Sequence, residues 1–141
     1  MRRNPTHLLL VAALVTGCAS AETPGPLPAD LTGTAWRART VTGQAVPDGF
    51  AVTLEFPEPG RVAGRAACNR YSGPIAEVDG RLEIGPLATT RMACPPPESE
   101  LETRFLRALE QAERLSRDNS ALVLHAAGGM APSRFVPFTP P

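Results

Sequence analysis

Proline and glycine interrupt this chain so often that little room is left for long helices. Twelve Gly and sixteen Pro make up about a fifth of its 141 residues. Proline lacks a backbone donor and glycine has the freest backbone, so both break helices and favour turns. Such a chain folds into short strands joined by turns rather than into a helical bundle. One stretch escapes this punctuation. After Pro95-Pro96-Pro97, the residues Leu101, Phe105, Leu109 and Ala112 recur at helical spacing, with Leu106 beside them. Ser99 and Glu102 have the spacing of a capping box. Glu98, Glu100 and Glu102 stand at the positive end, and Arg104, Arg107 and Arg114 come later, the sense a helix dipole favours. The pattern predicts a helix over 99–114 that lays one apolar stripe on a sheet and leaves its charged face in water.

Elsewhere the apolar period is two. Residues 34–41 carry β-branched residues and the only Trp. Phe50, Val52, Leu54 and Phe56 alternate with Ala51, Thr53 and Glu55, the mark of a half-buried strand. A turn at 57–60 leads into a second extended stretch, 61–69. Ile75–Val78 and Arg81–Ile84 flank Asp79-Gly80, a hairpin signal. Further strands are expected over Leu87–Met92, from 114–117, at Ala121–His125 and at Arg134–Val136. This order of strands, helix, then strands excludes the alternating βαβ of a doubly wound fold. The expected class is α+β and β-rich: a mostly antiparallel sheet or small open barrel of about seven or eight strands with one covering helix. A single core suits this length. Zero formal net charge argues against a nucleic-acid binder, although all fourteen basic residues are Arg.

The N-terminus reads as an address rather than as part of the fold. Arg2 and Arg3 precede the apolar run Leu8–Val15, which is too short to span a bilayer and fits a signal peptide over 1–17. Val15-Thr16-Gly17-Cys18 resembles the lipobox of bacterial lipoproteins. That resemblance implies cleavage before Cys18 and acylation of its thiol. Two or three acyl chains anchor a protein stably where one does not. Residues 18–30, with three Pro and a Gly, read as a tether. The same lipobox resemblance, with Ala19 rather than Asp at the next position, implies the outer membrane. The cleaved chain holds twelve Arg against fourteen Asp and Glu, a formal charge of −2.

Export would leave Cys68 and Cys94 in an oxidising compartment. A disulfide between them is the simplest account. Two separate thiols, and a metal or catalytic thiol, are the alternatives. The metal reading lacks ligands, since His125 is the only His beyond the signal peptide and no Cys or His lies two to four residues from another.

Three stretches together resemble the META domain, or HslJ-like, family. They are Gly64-Arg65-Ala66-Ala67-Cys68-Asn69-Arg70-Tyr71-Ser72-Gly73, then Thr89-Thr90-Arg91-Met92-Ala93-Cys94, then Glu102-Thr103-Arg104-Phe105-Leu106-Arg107-Ala108-Leu109. Gly33-Thr34-Ala35-Trp36 also fits. The resemblance covers about 31–136, and the expected domain runs over 31–137 with a tail at 138–141. The ending departs from the family pattern, because Met130-Ala131-Pro132-Ser133 intervenes before Phe135. The resemblance implies a small β-rich domain with one helix, a place in the cell envelope or a link to secretion, and ties to stress phenotypes. It implies no catalytic mechanism.

The chain is therefore expected to be a non-enzymatic, outer-membrane lipoprotein facing the periplasm. It would act as a monomeric binding module for an envelope protein or a lipid, supporting stress tolerance or secretion. The alternative is an inhibitor of an incoming hydrolase such as a lysozyme. Asn69, Arg70, Tyr71 and Arg91 are the candidate binding residues, with Arg70 and Arg91 suited to an anion. Gly64, Gly73 and Asn69 equally suit backbone shaping near the cysteines, and Tyr71 and Trp36 suit the core. Ser72, Ser99 and Ser116 stand in no nucleophile-elbow setting, and His125 has no acid beside it in sequence. No phosphate-loop, zinc-protease or dinucleotide fingerprint occurs, so neither catalytic residues nor cofactor nor metal are expected.

Overall fold

The computed structural model describes Leu27 and residues 29–141. The expected signal peptide, Cys18 and most of the expected tether lie outside the described residues. A 3-10 turn, Ala29–Leu31, opens the fold. Leu31 is buried, and Asp30 accepts from Arg117 at 2.7 Å, so the fold takes in the end of the tether.

The strands are β1 (Ala35–Val41), β2 (Gln44–Ala45), β3 (Thr53–Glu55), β4 (Arg61–Ala66), β5 (Asn69–Val78), β6 (Arg81–Ile84), β7 (Ala88–Thr89), β8 (Ala112–Asp118), β9 (Ala121–Ala126) and β10 (Ser133–Pro137); the helix α1 (Glu98–Glu110) lies between β7 and β8. Eight of the strands follow the order β6-β5-β4-β3-β1-β10-β9-β8, all antiparallel, with β2 added to β1 and β7 to β5. The end strands β6 and β8 come together, and Arg81 pairs with Glu113 across the seam. The sheet thus curls nearly closed into a barrel, which leaves few free edges.

Period-two patterning builds the core. In β1, Trp36, Ala38 and Val41 are buried while Arg37 and Arg39 are exposed. Leu54, Val62, Leu122, Leu124 and Phe135 join them inside. Helix α1 adds Leu101, Phe105, Ala108 and Leu109. It touches β1, β4, β6 and β9, strands from around the barrel, so it covers one end. Phe105 sits at the centre, edge-on to Tyr71 at 5.6 Å and tilted against Phe135 at 6.2 Å. Burying a phenylalanine of this kind stabilises the fold by about 2–3 kcal/mol.

The structure departs from the sequence reading at four places. The helix ends at Glu110, not at 114, because Ala112 is already buried in β8 and Gln111 O accepts from Ala127 N at 2.8 Å. An apolar residue at 112 satisfies either pattern. The capping box does not form: Pro97 is the N-cap, no side chain caps it, and Ser99 lies inside the helix. The stretch 61–69 is not one strand. Ala67 takes φ of +68°, and the chain reverses so that Ala66 faces Asn69. The expected strand over Leu87–Met92 contracts to β7. The expected hairpin at Asp79-Gly80 forms, with both residues at positive φ. The unusual C-terminal segment still closes the sheet, since β10 pairs with both β1 and β9 and buries Phe135 fully.

Candidate functional site

The turn at Ala67-Cys68, the loop after β7 and the first half of α1 meet at one place. The Cys68–Cys94 disulfide joins the turn to the loop, with 6.3 Å between Cα atoms. Buried Asn69 sits beside it and uses its whole side chain. Its Nδ2 donates to Met92 O at 3.2 Å and to Glu102 Oε1 at 2.9 Å. Its Oδ1 accepts from Thr90 Oγ1 at 2.9 Å and from Met92 N at 2.7 Å. An amide has two N–H donors and two lone pairs, so every valence is filled. The Asn69 backbone N donates to Glu102 Oε2 at 2.6 Å. Arg70 N donates to Thr90 Oγ1, and Thr90 N to Arg70 O, each at 3.0 Å.

A second buried cluster lies two pairs along β4 and β5, where Gly64 faces Tyr71. Tyr71 is 3% exposed, and its hydroxyl donates to Thr53 O at 2.8 Å. Burial pushes its pKa well above 10, with the Glu55 charge adding to the rise. Gly64 presses on the same carbonyl, since a Cβ there would stand 2.3 Å from Thr53 O. Thr53 Oγ1 donates to Glu55 Oε1 and accepts from Arg65 N, both at 2.9 Å.

The structure therefore separates the four candidate binding residues. Asn69 and Tyr71 point inward and are spent on the scaffold. Arg70 and Arg91 are exposed. Arg70 borders an open depression of about 440 Å³, lined also by Glu55, Ser72, Thr89 and Thr90. Trp36 is core, as expected, with its Nε1 donating to Thr34 Oγ1 at 2.8 Å and Arg117 lying 5.0 Å over the ring.

Two arrangements escaped the sequence reading altogether. Ser116 Oγ and His125 Nε2 lie 2.9 Å apart across β8 and β9. Burial, then the Arg114 charge, lowers the His125 pKa. No carboxylate orients the ring among the described residues, so the pair lacks the third member that activates a nucleophile. The other is a groove of about 440 Å³ along the outer side of α1, between Thr42 and Met130, where the Nε of Arg104 is buried without a partner. Glu98 lies near the two cysteine sulfurs. Those sulfurs are bonded to each other and offer no thiolate, so this cluster is unsuited to a metal.

The META domain family matches residues 29–136, the whole of the folded part from the 3-10 turn into β10. The chain belongs to this family. An NMR structure of a protein from Burkholderia xenovorans is similar, with TM-score 0.62, 28% identity, and 96% of this chain and 99% of the other covered. A second NMR structure gives TM-score 0.60 at 27% identity, covering 75% of this chain and 90% of the other. Among curated proteins no significant relative is found.

In this META domain the three motif stretches converge on Asn69. The first supplies Asn69 itself and Cys68. The second supplies Thr90, Met92 and Cys94, and the third supplies Glu102. These contacts tie the β4–β5 turn to the helix that covers the barrel.

Proposed function

We propose that this META domain protein is a non-enzymatic binding module of the cell envelope, anchored through acylated Cys18 at the periplasmic face of the outer membrane, where it supports stress tolerance or secretion. The observation that carries this reading is the Cys68–Cys94 disulfide. Such bonds persist in exported proteins and are rare in reducing cytosol. The lipobox-like run ending at Cys18 supplies the route. Asn69, Thr90 and Glu102 spend their polar groups inside the scaffold, while Arg65, Arg70 and Arg91 of the same motif stretches stay exposed and suit binding.

The test is fractionation of cells making the wild type or Cys18→Ala, with mass analysis of the N-terminal peptide. The wild type should sediment with outer membrane and carry an acylated Cys18, and the variant should be released. A wild type found soluble with an unmodified Cys18 would overturn the reading. Crosslinking in intact envelopes then identifies the partner, and inhibition of lysozyme by the purified protein would favour the hydrolase-inhibitor alternative instead.

A further inference from the structure

Arginines line up across the outside of the barrel. In β1, β4 and β5, exposed positions alternate with buried ones. Arg37 of β1 is paired with Thr53 of β3. Arg65 of β4 bonds Thr53 through its backbone N at 2.9 Å. Arg65 stands directly opposite Arg70 of β5. Arg37, Thr53, Arg65 and Arg70 thus form one row over four adjacent strands, about 5 Å apart per strand. On the far side of Arg70 lies Thr90, followed by exposed Arg91, and Arg39 is the next outward residue on β1.

None of these five arginines has an ion-pair partner among the described residues; the ion pairs join Arg61 to Glu58, Arg81 to Glu113, Arg117 to Asp30 and Arg134 to Asp118. Glu55 borders the row and accepts from Thr53 Oγ1, and Asp48 stands in the loop whose Val46 N donates to Arg39 O and whose Phe50 O accepts from Arg37, so five arginines face two carboxylates. Glu77, Asp79 and Glu83 lie on the β5–β6 hairpin, and Glu98 and Glu100 at the start of α1. A chain with no net charge has therefore gathered positive charge on one face.

Like charges directly opposite on paired strands destabilise a sheet. An anion between Arg65 and Arg70 removes that repulsion, and guanidinium forks suit phosphate oxygens. Arg37, Arg65 and Arg70 are exposed while Thr53 between them is buried, and the depression beside Arg70 is open rather than enclosed. Its geometry matches a plane of repeated anionic groups better than one small molecule.

We propose that this face of β1, β3, β4 and β5 docks on the phosphate headgroups of an anionic lipid bilayer. The contact goes beyond the anchoring reading and does not need it. With the anchor, nine residues such as Cys18 to Pro26 can span at most about 30 Å, comparable with the width of a domain this size, so the face can lie on the bilayer that holds the tether.

The test uses the cleaved chain, residues 18–141, with Cys18→Ala, so that neither an acyl chain nor the apolar run Leu8–Val15 contributes. Its binding is measured to phosphatidylcholine vesicles with and without phosphatidylglycerol. Binding should require phosphatidylglycerol and weaken as salt rises. Each of Arg65→Gln and Arg70→Gln should weaken it about 5-fold, and the double variant about 25-fold. Arg107→Gln, on exposed α1 surface, should leave it unchanged. Both row variants should melt no lower than the parent, because each removes a like-charge contact. Equal binding to both vesicle types overturns the proposal, as does an equal loss in Arg107→Gln. Tight binding of inorganic polyphosphate without vesicle binding also overturns it and assigns the row to a soluble polyanion. Failure of Cys18 acylation in cells bears on the anchor alone.

Discussion

Glu102 holds Asn69 at two points, with Oε2 on the backbone N at 2.6 Å and Oε1 on the side-chain Nδ2 at 2.9 Å. One carboxylate therefore fixes both the start of β5 and the orientation of the amide that clasps the loop 90–94. Hydrogen bonds to a charged group contribute about 1.5–3 kcal/mol each when a partner is deleted. Glu102→Ala, which deletes two such bonds, is expected to lose about 3 kcal/mol or more in urea denaturation. Glu102→Gln should lose less, since it keeps one carbonyl acceptor. Glu100→Ala, on the exposed side of the same helix, should change little. Equal losses at 100 and 102 would show that the brace contributes nothing.

Gly64 is required by contact, not only by conformation. A Cβ there would meet Thr53 O at 2.3 Å, whereas one on Gly33 would meet nothing within 4 Å. Both glycines have positive φ, so both alanine variants are strained. Gly64→Ala must also force β3 from β4, and should cost about 3 kcal/mol. Gly33→Ala should cost about 1 kcal/mol. Thermal melts of the two variants make the comparison, and a smaller loss at Gly64 would contradict the close approach.

Much of the fold was legible in the sequence because its strands are half-buried. Alternation at Phe50–Phe56, the Asp79-Gly80 turn and the periodicity of Leu101, Phe105 and Leu109 each carry a local signal, and together they give a sheet with one helix. The site was less legible because its contacts depend on register. The turn at Ala67-Cys68 carries no glycine or asparagine at the positive φ, so nothing local marks the reversal. Without that reversal, Arg70 lies beyond Arg65 along one strand instead of opposite it. Glu102 was similarly hidden. Its spacing from Ser99 suits a cap, and only the packing of α1 against β4 turns it toward Asn69.

The disulfide closes a loop with a sequence separation of 26 between the two structures that Asn69 joins. In the chain-entropy account a loop of that length is worth about 3.5 kcal/mol. Reductant should lower the melting temperature of the wild type and leave Cys68→Ala/Cys94→Ala unaffected. Coincident wild-type melts with and without reductant would mean that the bond does not support the fold.

His125 makes stability fall in mild acid. Burial and Arg114 lower its folded pKa below the usual 6.5. The unfolded imidazole then binds its proton first as the pH drops, so the contribution is full above 6.5 and fades through the folded value. Denaturation of the wild type and His125→Gln from pH 8 to pH 5 isolates this group from the carboxylates. The wild type should lose its lead over the variant as the solution becomes acidic. A lead that grows toward pH 5 would reverse the sign and contradict a neutral imidazole bonded to Ser116.

Tyr71 offers a clean reading at the alkaline end. It is the only Tyr, the chain has no Lys, and Cys68 and Cys94 are bonded to each other. Burial, then the charge of Glu55, raises its folded pKa well above 10. The unfolded phenol ionises near 10, so above that pH the unfolded state has released a proton that the folded state keeps, and stability falls as pH rises. Tyrosinate absorbance should therefore appear together with loss of the β-sheet circular dichroism, as one alkaline transition. Tyr71→Phe should cost about 1 kcal/mol at neutral pH, for the lost bond to Thr53 O, and should flatten the alkaline decline. Tyrosinate forming near pH 10 with the sheet signal intact would mean that the ring reaches water in the folded domain, and would return Tyr71 to the binding surface.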